Sequence, residues 1–153
     1  MLESGVIVII TAVLPIVELR GAIPLGLTVY DLPVLFTYVL AVIGTMLPVL
    51  VLLRFWTWFE KVLISKVPYL EKIKVWLFER TRRKFYQRYR KYGDLALVVF
   101  VAVPLPVTGV WTGSLAAYLF GVPYWRAFRL ILVGALISGA VVTLVTLGLI
   151  KIF

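Results

Sequence analysis

The sequence predicts an all-α integral membrane protein: an inverted repeat of re-entrant helical hairpin plus transmembrane helix, joined by a cytoplasmic amphipathic helical linker. Three observations predict it. Hydrophobic residues make up 63% of the 153-residue chain, and its mean hydropathy is +1.06, far above that of soluble domains. Its apolar stretches are of two kinds, one broken by proline, glycine and charge, the other long and aliphatic. Twelve of its sixteen Lys and Arg residues lie in one segment between the halves.

The first repeat, 1–53, opens with a hairpin over 5–29. Gly5 to Val17 is apolar without interruption; then Glu18 and Arg20 fall inside the run, bracketed by Pro15 and Pro24. A charge at the bilayer centre costs about 2.5–3.5 kcal/mol on insertion scales. Proline removes a backbone donor, which a membrane tolerates only where the freed groups face protein or water. The stretch therefore reads as two short arms, Gly5 to Leu14 and Gly21 to Val29. Arms of about ten residues, rising 1.5 Å each, reach about halfway through a core of about 30 Å. The span 32–53 follows, aliphatic, with only Gly44 and Pro48 as interruptions.

The linker, 54–93, carries the basic residues, which the positive-inside rule places in the cytoplasm. Trp56, Phe59, Val62 and Leu63 form one helical stripe; Leu70, Ile73 and Leu77 form another beyond Pro68. Arg82, Arg83, Lys84 and Arg88 alternate with Tyr86, Tyr89 and Tyr92. Such a segment suits the headgroup layer of an anionic leaflet. It also reads as a topology determinant with a solvated face. Nucleic acid is not expected as a partner, since membrane placement accounts for the charge.

The second repeat, 94–153, has a hairpin over 95–121 and a span over 126–150. Pro104, Pro106, Gly109, Gly113, Gly121 and Pro123 break the hairpin into arms from Leu95 to Val103 and from Gly109 to Phe120. An offset of 90 residues lays Pro33 on Pro123 and Gly44 on Gly134, with Pro15 within a residue of Pro104. One span separates the hairpins, so they must enter from opposite faces. Transporter sites form near the midplane in such inverted repeats. Both termini are then outside and Arg126 and Arg129 cytoplasmic, whereas four full spans would reverse these sides. In the last span Ala135, Gly139 and Thr143, and Gly134 with Ser138, repeat at four-residue spacing, as in a helix-packing or dimer face. The N-terminus is expected to be retained, because Glu3 gives the leading residues no basic n-region.

Neither Cys nor His occurs. That excludes disulfides, thiolate nucleophiles, His-ligated haem and the common zinc sites. No enzyme, cofactor or metal is expected.

Glu18 and Arg20 are two apart and would not face each other on a regular helix, although they can pair at an irregular tip. A carboxyl in so apolar a site can carry a proton; alternatively it accepts hydrogen bonds from N–H groups of the broken helix. Arg20 suits an anionic headgroup, or serves as charge partner to Glu18. In the second break Thr108, Gly109, Trp111, Thr112 and Gly113 can cap a half-helix and expose donors that attract an anion. Gly113, Ala117 and Gly121 leave a bare face for close packing against the opposing hairpin.

Two motifs carry a family resemblance: Glu18-Leu19-Arg20-Gly21-Ala22-Ile23-Pro24, and Pro104-Leu105-Pro106-x-Thr108-Gly109-x-Trp111-Thr112-Gly113 followed by Ala116-Ala117. Together they resemble the small multidrug export family of prokaryotic membrane proteins, over nearly the whole chain. That family is distantly similar to the DedA, or VTT-domain, proteins, which share two facing re-entrant hairpins and are associated with lipid scrambling and polyprenyl-phosphate recycling. The likeness implies that Glu18 and Arg20 match the hairpin-tip residues of proton coupling and phosphate contact. The chain departs from the DedA pattern in being shorter and in having no charge between Asp94 and Arg126.

The expectation is a transporter in the plasma membrane, moving an amphiphilic substrate with Glu18, Arg20, Gly21, Pro24, Thr108, Gly109, Trp111, Thr112 and Gly113 at its site. A lipid or polyprenyl-phosphate flippase is the related alternative, and a non-transporting assembly partner the distant one. Two hairpins and two spans enclose little space, so a homodimer is expected.

Overall fold

A computed structural model describes residues 2–66, 93–104 and 108–152, and every regular element among them is helical. Helix α1 covers Leu2–Val13; α2 covers Glu18–Pro24 and runs on as a π-helical turn, Leu25–Val29. Helix α3 covers Val34–Lys66, α4 Gly93–Ala102, α5 Val110–Leu119 and α6 Tyr124–Ile152.

The short and long elements differ for reasons visible in the chain. Pro15 lies in the turn after α1, where the N–H of Glu18 bonds to Leu14 O at 3.1 Å. Pro24 sits inside α2, and the helix widens just after it: Tyr30 N–H reaches back five residues to Leu25 O. A residue without an N–H disrupts the regular ladder, and a π turn restores pairing. Only two helices are long and apolar enough to cross a membrane among the described residues, Val34–Trp56 with 23 residues and Tyr124–Leu149 with 26.

Close contacts fix the directions. Gly5 lies against Phe36 and Leu40, and Gly44 against Ile9 and Ala12, so α1 runs parallel to α3. Gly26 lies against both Val8 and Thr37, so the second arm returns beside the first. The later half behaves alike: Asp94 meets Arg126 and Val101 meets Gly134, which makes α4 parallel to α6, while Gly113 returns against Val101. Helices α3 and α6 are antiparallel, since Tyr124 Oη bonds to Leu50 O at 3.2 Å and Tyr38 Oη to Leu136 O at 2.9 Å.

Two glycines permit close approach of one helix to the backbone of another. A Cβ on Gly44 would stand 2.7 Å from Ile9 O, and one on Gly134 would stand 2.9 Å from Val98 O. These are the positions that the 90-residue offset superposes. The interior is filled by Val8, Ile23, Ala41, Val49, Val101 and Ile131, while Leu35, Val51 and Leu144 stay exposed. Buried Thr143 and Thr146 satisfy their hydroxyls on carbonyls four residues back, at 2.8 Å each.

Several boundaries move. The second arm begins at Glu18, not Gly21, and α3 continues through Trp56 and Phe59, whose rings lie 6.3 Å apart, to Lys66. The last helix starts at Tyr124 rather than at 126. The small residues of α6 are used within the chain: Gly139 lies against the ring of Tyr38, and Ala135 and Ser138 are buried. Gly113 packs against Val101 of its own pair rather than against the opposing one, and nothing lies within 4 Å of a Cβ built on Gly121. Arg82, Arg83, Lys84 and Arg88, with the stripe of Leu70, Ile73 and Leu77, lie outside the described residues.

Candidate functional site

The two breaks meet. Glu18 opens α2 with a φ of 45°, in the left-handed region that costs a non-glycine residue about 1–3 kcal/mol. Its carboxylate is not directed along its own arm. It accepts hydrogen bonds from the backbone N–H groups of Val110 and Trp111, the first two residues of α5. The first N–H groups of a helix have no intrahelical partner and carry the positive end of its dipole. The carboxylate of one break thus caps the half-helix of the other.

Arg20 makes the second tie. Its Nη2 donates to Thr108 O and lies 3.5 Å from Glu18 Oε2. A left-handed residue at 18 removes the regular-helix geometry that would have kept 18 and 20 apart. The Glu18 side chain is 5% exposed and that of Arg20 22%, so the acid is sealed and the base reaches toward the rim. Leaving such a carboxylate without donors would be costly; here it has two N–H groups and a guanidinium.

Gly109 stands between them. A Cβ there would overlap the Glu18 carboxylate. The backbone of Gly109, at φ 161° and ψ −169°, is extended and open to any residue, so proximity alone requires glycine. Thr108 Oγ1 donates to Val103 O at 2.6 Å, across the break, and Thr112 Oγ1 to Gly109 O at 3.4 Å. The break is tied by its own hydroxyls.

The remaining predicted residues lie around this junction in supporting positions. Gly21 N–H bonds to Val17 O at 3.2 Å, and a Cβ on Gly21 would overlap the Val17 side chain. Pro24 accepts from Thr28 Oγ1 at 2.8 Å, one turn from the charges. Trp111 contributes its backbone N–H, whereas its buried indole Nε1 has no hydrogen-bond partner among the described residues. Gly113 lies against Val101.

A cleft with room for about one water molecule lies at the junction, lined by Glu18, Leu19, Arg20, Val101, Thr108, Gly109, Val110, Ala135 and Ser138. Ala135 and Ser138 are legible only as small residues of a packed helix, and Val110 only as part of the second break, whose half-helix start exposes N–H donors. Their common signal is position: each lies near the middle of its span or at the mouth of its half-helix. No group of three or more His, Cys, Asp or Glu that could hold a metal ion occurs among the described residues.

A family model described as "Putative small multi-drug export protein" matches residues 18–141. It begins at Glu18, inside the first break, and takes in the second break and the cleft. No curated protein and no solved structure matches the chain.

Proposed function

Because this chain belongs to the small multi-drug export family, we propose that it is a membrane transporter that moves an amphiphilic substrate past the junction of its two breaks. The observation that carries the reading is the Glu18 carboxylate seated on the N–H groups of Val110 and Trp111. In this reading the two arm pairs are re-entrant hairpins that enter from opposite faces, an inverted repeat whose tips meet near the midplane. Support comes from the antiparallel spans and from arms that end level with the middle of each span. Broken helices of inverted repeats build transporter sites in this way.

Glu18 is the proton-linked group. As a carboxylate it holds α5; as an acid it loses its charge and one acceptor, and the tie to the half-helix weakens. The cleft admits no amphiphile in this state, so passage requires the tips to part. Alternating release on the two sides would couple substrate movement to the proton.

The test is flux in proteoliposomes with and without an imposed proton gradient. A Glu18→Gln protein should remain folded and lose the gradient-driven component. If flux stays gradient-driven while stability falls, the junction is a structural tie and the non-transporting reading gains. A second reading, movement of a phosphate-bearing lipid, draws on Arg20, whose guanidinium suits phosphate. Headgroup-dependent lipid movement that an Arg20→Ala change abolishes would favour it over drug export.

A further inference from the structure

The geometry points to a headgroup collar at one end of the molecule, which binds the anionic leaflet of a bilayer through Arg54, Arg126 and Arg129 and is seated there by Trp58 and Trp125. It concerns a surface remote from the junction and holds whatever substrate passes.

Two long helices bring the collar together. Tyr124 Oη bonds to Leu50 O at 3.2 Å, so the start of α6 lies beside α3 about one and a half turns short of Trp56. The end of α5 joins them, with Tyr118 stacked on Trp56 at 6.3 Å. Around this level the aromatic rings form two clusters. Phe55 contacts Trp56, Trp58 and Phe59, and Trp125 contacts Tyr124 and Phe128, all with centroids 5.1–6.3 Å apart.

The exposure is unlike that of a core. Trp58 is 58% and Trp125 68% exposed. An indole with an apolar body and a polar N–H prefers the membrane–water boundary. The level fits as well. The 23 residues Val34–Trp56 rise roughly 34 Å at 1.5 Å each, slightly more than a hydrocarbon core of about 30 Å. With Val34 at one boundary, Trp56 and Trp58 arrive in the opposite headgroup layer.

Charge selects the leaflet. Arg54, Arg126 and Arg129 are exposed, and Asp94, paired with Arg126 at 2.8 Å, is the only carboxylate beside them among the residues whose side chains are described. The opposite end carries Glu3 and Asp31, with Lys151 at the end of α6. Each basic residue near an anionic surface raises affinity roughly fivefold. The collar end therefore faces the anionic leaflet, so that α4 and α5 open toward that leaflet and α1 and α2 away from it.

The test uses the full chain in vesicles of phosphatidylcholine and phosphatidylglycerol. Trp125 is kept as the lone tryptophan, the other four being replaced by phenylalanine, and is quenched by spin labels at shallow or deep acyl positions. Shallow labels should quench most, and labelled phosphatidylglycerol severalfold better than labelled phosphatidylcholine. The variant R54Q/R126Q/R129Q should lower that ratio, and an unchanged ratio overturns the proposal. Strongest quenching by deep labels, or equal quenching by both lipids in the protein that retains its arginines, overturns the proposal. Should the lone-tryptophan protein fail to fold, a bimane on Leu119→Cys replaces it, since the chain has no other cysteine, with the same outcomes.

Discussion

The carboxylate of Glu18 and the Cα of Gly109, ninety-one positions apart in sequence, touch: the space where a side chain at 109 would begin is occupied by the carboxylate. A Gly109→Ala change should therefore force the two breaks apart. Overpacking of this kind typically costs about 1–3 kcal/mol, readable as a lower melting temperature in detergent, together with loss of transport. Combining it with Glu18→Ala should restore part of the stability but none of the transport. Strictly additive losses would mean the two residues do not share the site.

Glu18→Gln keeps the shape and removes the charge. The hydrogen bonds from Val110 and Trp111 then lose their charge assistance, and hydrogen bonds to charged groups contribute about 1.5–3 kcal/mol. Expected is a destabilisation at or below the low end of that range, since the amide oxygen can still accept, with gradient-driven flux gone. Thermal unfolding and proteoliposome flux on the same preparation check both parts.

Arg20 serves two acceptors, Thr108 O and the Glu18 carboxylate. A lysine offers a single ammonium on a flexible stem and cannot reproduce the fork. Arg20→Lys should fall between wild type and Arg20→Ala in transport rate. A lysine variant as active as wild type would show that charge, not geometry, is what the tip needs.

Glycines at the crossings divide sharply. At Gly44 and Gly134 an added Cβ meets backbone carbonyls, Ile9 O and Val98 O, which cannot yield; nothing lies within 4 Å at Gly148. Gly44→Ala and Gly134→Ala should each lower stability by about 1–3 kcal/mol. Gly148→Ala should raise it by up to about 1 kcal/mol, as replacement of a helical glycine does. Melting curves of the three variants suffice.

Gly139 faces Tyr38 of the same chain. Replacing it with leucine should lower stability without changing the mass of the detergent-solubilised particle by light scattering. A fall from dimer to monomer would instead return the small residues of α6 to an interface between copies.

How much was legible follows from which forces are local. Glu18 and Arg20 announced a break because charge in an apolar run is costly within a few residues' reach, and Thr108 to Gly113 announced another through its turn chemistry. That the anion awaited at the second break is Glu18 itself was not legible, because no local pattern links positions 18 and 110. The end of α3 was misplaced for a simpler reason. Arg54 ends the apolar run, but charge does not end a helix, and no glycine or proline occurs between Pro48 and Pro68. Ser138 read as packing because a small residue beside a cleft and one beside a helix look the same in sequence.

The cleft at the junction has one more consequence. Protons travel along files of hydrogen-bonded water, and a space for about one water molecule is no file. In the proposed transporter a proton that reaches this cleft is therefore handed on through the Glu18 carboxylate rather than along a water wire.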